Sequence, residues 1–314
     1  MADKKIIAVV GATGQQGSGL VKAILADPSG GFAARAITRD PNSDKARELA
    51  RLGAEVVAGD VDDAESLEKA FAGAYGAYCV TFFWAHFSPE KEKAQAAAMA
   101  GAAKAAGVKH VIWSTLEDSR LSIPLSDDRM PTLMGQYKVP HFDAKAEADA
   151  AFAGVPTTYL LTSFYWENFI YFGMGPKKGP DGVLGLTMLL GDKKFPAIAS
   201  DDIGACAYGI FKGGEAYIGK RVGIAGEHLT GAEMAAAFSA ELGQPVRYNA
   251  IEPSVYRGFG FPGAEDLGNM FQFNRDFAEM FCAARSLETS RRLNPGLKTF
   301  RAWLAENKGR IPLE

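Results

Sequence analysis

The chain is expected to form an α/β fold, a doubly wound parallel sheet with a smaller α/β domain towards its C-terminal end. Three observations predict it. Short apolar runs alternate with amphipathic stretches over the first 160 residues, the rhythm of strand and crossover helix. Most of those runs are apolar without interruption, as strands covered on both faces are. A glycine-rich segment, Gly11-Ala12-Thr13-Gly14-Gln15-Gln16-Gly17, joins the first apolar run to the first amphipathic stretch.

The elements follow in order. Ile6 to Val10 reads as strand one and Gly17 to Leu25 as a helix. Ala34 to Thr38 is strand two, Ser43 to Leu52 helical, and Glu55 to Ala58 strand three. Asp62-Asp63 cap a helix running to Phe71, and Tyr78 to Phe82 is strand four. Ser88-Pro89-Glu90 opens a long alanine-rich helix that stops at Gly107, with a good cap, proline at the first position and glycine at the end. His110 to Ser114 and Thr157 to Leu161 are strands five and six. From Leu116 to Pro140 no period is visible and three prolines intervene; a loop of that length suggests function or mobility.

Beyond Leu161 the alternation becomes irregular. Residues 1–160 are assigned to the first domain, with 195–212 returning to it as a helix. Residues 161–194 and 213–314 form the smaller substrate or partner domain. Leu297 to Leu304 carries apolar residues at one-face helical spacing.

Composition narrows the function. The chain has 314 residues, 47% apolar and 23% charged, with a net charge of −3. No basic cluster stands out, so direct nucleic-acid binding is not expected. Cys79, Cys206 and Cys282 are far apart; they suggest neither a metal site nor a disulfide framework, and fit a reducing compartment. No run approaches the roughly 20 apolar residues of a membrane span, and the first apolar run is too short for a signal-peptide core. A cytoplasmic protein is expected.

Glycine lets a backbone approach a pyrophosphate, and a helix N-terminus offers it unpaired N–H groups and a positive dipole end. Gly11, Gly14 and Gly17, with Thr13, Gln15 and Gln16 between them, stand where a Rossmann-type phosphate loop would. Their spacing is GxxGxxG. A site selective for NAD wants a carboxylate at the end of strand two; here that strand ends Thr38-Arg39. A guanidinium can stack on adenine and pair with a 2′-phosphate, and Lys45 follows within reach, so NADP(H) is the expected cofactor. Asp40 should point away from it. Asp60 and Val61 are candidates for the adenine edge, and Thr81, Phe82 and Phe83 for the path of the dinucleotide.

At this point the sequence resembles the NmrA-like family of atypical short-chain dehydrogenase/reductase proteins, nearest its NADPH-sensor branch. The resemblance rests on the glycine loop, Thr38-Arg39-Asp40-Pro41, Gly59-Asp60-Val61-Asp62-Asp63, His141-Phe142-Asp143-Ala144-Lys145, Tyr165-Trp166-Glu167-Asn168, Gly260-Phe261-Pro262-Gly263-Ala264 and Asn269-Met270-Phe271. It implies that Lys145 contacts the nicotinamide ribose and that Tyr165, Trp166, Glu167 and Asn168 contact the nicotinamide half. It also implies response to the NADPH/NADP⁺ ratio, a changing association state and weak or absent dehydrogenase activity.

Short-chain reductases place tyrosine one helical turn before a lysine, with both on one face. Here the frame is His141-x-x-x-Lys145. Three readings stay open. His141 is structural and Lys145 only binds cofactor; or His141 is the general acid, since imidazole titrates near neutrality; or Lys145 itself handles the proton. The leading function is a redox-cofactor sensor or regulator, working through a partner protein or a second copy of the chain. The alternative is an NADPH-dependent reductase of a small apolar carbonyl, quinone or enone, using Lys145 and His141.

Overall fold

The structure, a computed structural model, describes residues 4–313. Its main sheet has seven parallel strands: β1 (Lys5–Val9), β2 (Phe32–Thr38), β3 (Glu55–Ala58), β4 (Gly76–Cys79), β5 (His110–Thr115), β6 (Thr157–Leu161) and, much later, β11 (Arg221–Gly223). Their spatial order is β11-β6-β5-β4-β1-β2-β3. The order reverses direction between β1 and β4, so the loops that follow these two strands open a crevice at their C-terminal ends.

Side-chain alternation sorts the strands between two cores. Ile7 and Val9 face α1 (Gln15–Ala26) and α7 (Ser200–Gly213). Ala8 and Val10 face α3 (Ala64–Phe71) and α4 (Pro89–Ala105). Between these lie α2 (Asp44–Arg51), which runs from β2 to β3, and α5 (Pro140–Ala148), which follows the long loop. Helix α1 is bound tightly to α7: a Cβ on Gly204 would stand 2.0 Å from the Leu20 amide nitrogen. Only glycine permits that crossing.

The remaining chain builds a second core. A short helix, α6 (Asn168–Tyr171), follows β7 (Phe164–Tyr165). Strands β7, β10 (Phe195–Ile198) and β12 (Glu227–Leu229) form one small sheet; β8 (Lys177–Lys178), β9 (Leu184–Met188) and β13 (Val246–Ala250) form another. Five helices build on them, α8 (Gly231–Leu242), α9 (Pro253–Arg257), α10 (Ala264–Asp276), α11 (Ala278–Ala283) and α13 (Phe300–Asn307), while α12 (Leu287–Leu293) packs back on α7. Trp166, Phe169, Phe238, Phe300 and Trp303 pack together at its centre. Each such side chain contributes about 2–3 kcal/mol on burial.

The fold class is the expected one, with three local differences. Strand four starts at Gly76 and stops at Cys79, three residues before the expected Phe82, because Phe83–Ala85 turn into a single 3₁₀ turn. The seventh strand, β11, carries only three residues and left no readable period. The last long helix starts at Phe300, capped by Thr299, and leaves Leu297 outside it. No helix among the described residues is long and apolar enough to cross a membrane.

Candidate functional site

The glycine loop leaves β1 and enters α1 as a tight turn. Gly11 has φ +64°, and the Gly14 N–H donates to its carbonyl at 2.8 Å. A Cβ on Gly17 would lie 2.4 Å from that same carbonyl oxygen, so the loop closes only over glycine. Several other helices start from a capping side chain: Ser43 on α2, Asp63 on α3, Ser88 on α4, Thr230 on α8. Helix α1 starts at Gly14 with no capping side chain and no acidic residue in its first turn. Its unpaired N–H groups are therefore free for an anion. Thr13 is half-buried beside them.

The two glutamines of the loop turn to protein partners. Gln15 accepts the Ser200 hydroxyl at 3.0 Å, which ties α1 to the start of α7. Gln16 donates to the Tyr165 hydroxyl at 2.5 Å and accepts from the Tyr78 hydroxyl. Full burial pushes the Tyr78 phenol well above its ordinary value, so it stays a neutral donor.

At the end of the crevice beyond β2, Arg39 and Lys45 are exposed. Their neighbours pair among themselves, Arg47 with Asp44 at 2.6 Å and Arg51 with Glu48. Arg39 and Lys45 belong to no ion pair among the described residues. Asp40 turns back, accepting the Asn42 N–H at 2.9 Å, as its position after an extended strand suggested. Asp60 is occupied similarly, accepting the Asp62 N–H at 3.0 Å, and Val61 is half-buried beside it.

At the other end of the crevice, Thr81 follows β4 and is buried. Lys145, on α5, donates to the Thr81 hydroxyl at 2.6 Å and pairs with Glu92 of α4 at 2.9 Å. The Thr81 hydroxyl in turn donates to Glu92. Phe82 is exposed, whereas Phe83 is buried.

One turn before Lys145, the His141 Nδ1 and the Asp266 carboxylate of α10 are 2.6 Å apart, and the other Asp266 oxygen accepts the His141 backbone N–H at 3.1 Å. The ring packs on Trp84 with centroids 4.7 Å apart. With Nδ1 engaged by Asp266, Nε2 is the ring atom left for proton transfer. A cleft of about 470 Å³ adjoins Asp266 and is walled by Phe83, Phe87, Met134, Pro140 and Phe261, with Arg257 at one side. Phe87 and Met134 both hold left-handed backbone, φ +54° and +49°, the kind of strain that clusters at ligand sites.

A model of the NmrA-like family matches residues 3–304. The chain belongs to the NmrA-like family. Among curated relatives, it is 30% identical over 289 residues to the NmrA-like family domain-containing oxidoreductase FrzB of a Cladobotryum species, covering 86% of this chain and 84% of that protein. It is 28% identical over 340 residues to the NmrA-like oxidoreductase ptmS of Penicillium ochrochloron, covering 96% and 97%. Among solved structures it resembles NmrA, described as a negative transcriptional regulator, at TM-score 0.79 and 25% identity over 96% of this chain and 95% of that one. The fold also matches Citrobacter sp. triphenylmethane reductase complexed with NADP(H), at TM-score 0.71 and 21% identity over 96% and 99%.

Within this NmrA-like site two expectations need correction. Trp166 is fully buried against Phe300 and Trp303 and has no surface to offer a cofactor. Glu167 gives one oxygen to the Ser200 N–H at 2.9 Å and the other to the Trp303 indole N–H at 2.9 Å; burial raises its carboxyl pKa. Trp166 belongs to the second core, and Glu167 ties that core to the start of α7. Tyr165, through Gln16, is the member of the quartet that reaches the phosphate loop; Asn168 opens α6, half-buried.

The segment 116–139 is stapled rather than loose. Asp143, fully buried, accepts the Ser119 N–H and hydroxyl on one oxygen and the Lys138 and Val139 N–H groups on the other. Lys138 donates to the Asp127 and Met130 carbonyls, and Asn269 to those of Pro131 and Lys138. Sequence reasoning missed Glu92 and Asp266. Glu92 lies in an alanine-rich helix with no motif around it, and Asp266 is 125 residues from its histidine. A buried partner for each cation was the signal available, since His141 and Lys145 share one helix face.

Proposed function

We propose that this protein binds NADP(H) and reduces a small apolar carbonyl, quinone or enone. NADP(H) binding is supported by the uncapped start of α1 and by the unpaired Arg39 and Lys45, cations suited to a 2′-phosphate. The names of curated relatives as oxidoreductases, and of a structural neighbour as a reductase complexed with NADP(H), point the same way.

The observation that carries the reductase reading is the His141–Asp266 pair, one turn from Lys145 and beside an apolar cleft. When bound, the cofactor supplies the hydride to a substrate carbon. Lys145 would hold the ribose, and His141, once protonated from solvent, would give its Nε2 proton to the substrate oxygen, with Asp266 holding the ring at Nδ1 and balancing the imidazolium charge. The test is an NADPH-oxidation screen across apolar aldehydes, quinones and enones. Turnover with at least one class is expected, with kcat lowered about a hundredfold in Asp266→Asn and KM little changed. A panel with no oxidation above background overturns the reading.

A second reading, a cofactor-responsive regulator, is favoured by the histidine in place of tyrosine at position 141. It would act in the cytoplasm through a partner protein or a second copy of the chain. Limited proteolysis of residues 116–140 that is identical with and without NADPH, at unchanged oligomeric state, counts against it.

A further inference from the structure

We infer that Glu92 is the positioning residue for Lys145: it holds that side chain at the nicotinamide end and leaves proton transfer to His141. The inference rests on the NADP(H) binding proposed above.

Glu92 sits in the first turn of α4 and is wholly buried. A carboxylate stripped of water persists as an anion only where donors and a cation replace that water. Two segments bring them. The Thr81 hydroxyl donates to Oε1 from the end of β4, and the Lys145 ammonium stands 2.9 Å from the same oxygen. His86 stands beside the second oxygen: its Nδ1 accepts the Ser88 N–H at 3.1 Å, and its Nε2 lies 3.4 Å from Glu92 Oε2 without a hydrogen bond between them.

The same geometry accounts for the donors of Lys145. One N–H points to Glu92 and a second to the Thr81 hydroxyl at 2.6 Å, while the third has only the Thr81 carbonyl at a long 3.5 Å. That third donor is the one left for a ribose hydroxyl. The Trp113 ring, 5.1 Å away, adds cation–π attraction. With its head held between Glu92 and Thr81, Lys145 acts as an anchor, and His141 is the residue placed for proton transfer.

The test compares two ligands by calorimetry: NADPH, which reaches Lys145, and adenosine 2′,5′-bisphosphate, which ends at the phosphate loop. Glu92→Gln should weaken NADPH about tenfold and leave the bisphosphate unchanged, the size expected for one charge-assisted bond. Glu92→Asp should recover part of the loss. The double variant Glu92→Gln, Lys145→Met should bind NADPH no more weakly than Lys145→Met alone, because the two residues act as a unit. Equal weakening of both ligands, no weakening of either, or additive losses in the double variant each overturn the inference while NADP(H) binding stands. Wild-type protein that binds neither ligand overturns the functional reading and this inference with it.

Discussion

The two ends of the crevice are built on opposite principles. The glycine-loop end is backbone plus exposed side chains: a turn that closes only over Gly17, an uncapped helix start, and Arg39 and Lys45 standing in solvent. The α5 end is buried polar pairs, Lys145 against Glu92 and His141 against Asp266, each joining two separate helices. Local geometry specifies the first end. Long-range partnership specifies the second. Substitutions should therefore act on ligand binding alone at one end, and on stability and ligand together at the other.

The largest expected effect breaks the first end outright. Gly17→Ala puts a methyl group 2.4 Å from the Gly11 carbonyl oxygen, so calorimetry should show NADPH and the adenine bisphosphate both weakened about a hundredfold or more. Next comes the buried end. Asp143→Ala leaves four donors around the 116–139 segment without their acceptor and should cost about 3–4 kcal/mol by urea unfolding, with faster proteolytic cleavage there.

Acid sharpens the contrast between buried and exposed charge. His110 is fully buried below Thr158, and desolvation lowers its pKa from 6.5 to about 4. The unfolded chain thus binds the extra proton first. The stability this neutral ring contributes is complete above its unfolded value of 6.5 and is lost as pH falls towards about 4, a difference of about 3 kcal/mol. His110→Gln should flatten the stability profile across that window; an unchanged slope would show that His110 does not set it. The smallest effect belongs to the exposed end. Arg39→Ala should weaken NADPH about tenfold, leave NADH unaffected and not move Tm.

This contrast also explains what could be read from the chain. The phosphate loop, β1 to β6 and the long helix α4 were legible because glycine spacing, apolar runs and caps are local signals. The strand-end position of Arg39 was legible for the same reason. Glu92 was not, because a glutamate between Lys91 and Lys93 at a helix start looks like an ordinary solvated residue until its burial is known. Asp266 was not, because nothing short-range links α10 to α5. Trp166 misled in the other direction: an aromatic after a strand end fits a cofactor wall and a core equally well, and the second core claimed it.

The crossing of α1 over α7 at Gly204 has a consequence for how this protein comes into being. The helix that would carry the phosphate is encoded near the start of the chain, but the helix that clamps its flank is encoded about 180 residues later. During synthesis Leu20 and Ile24, buried in the finished protein, remain uncovered by α7 until that segment leaves the ribosome. A fragment ending at Leu161 would contain every glycine of the loop and still lack both α7 and the edge strand β11. Cofactor affinity should thus arrive late in biogenesis, as a property of the nearly complete chain rather than of its first half.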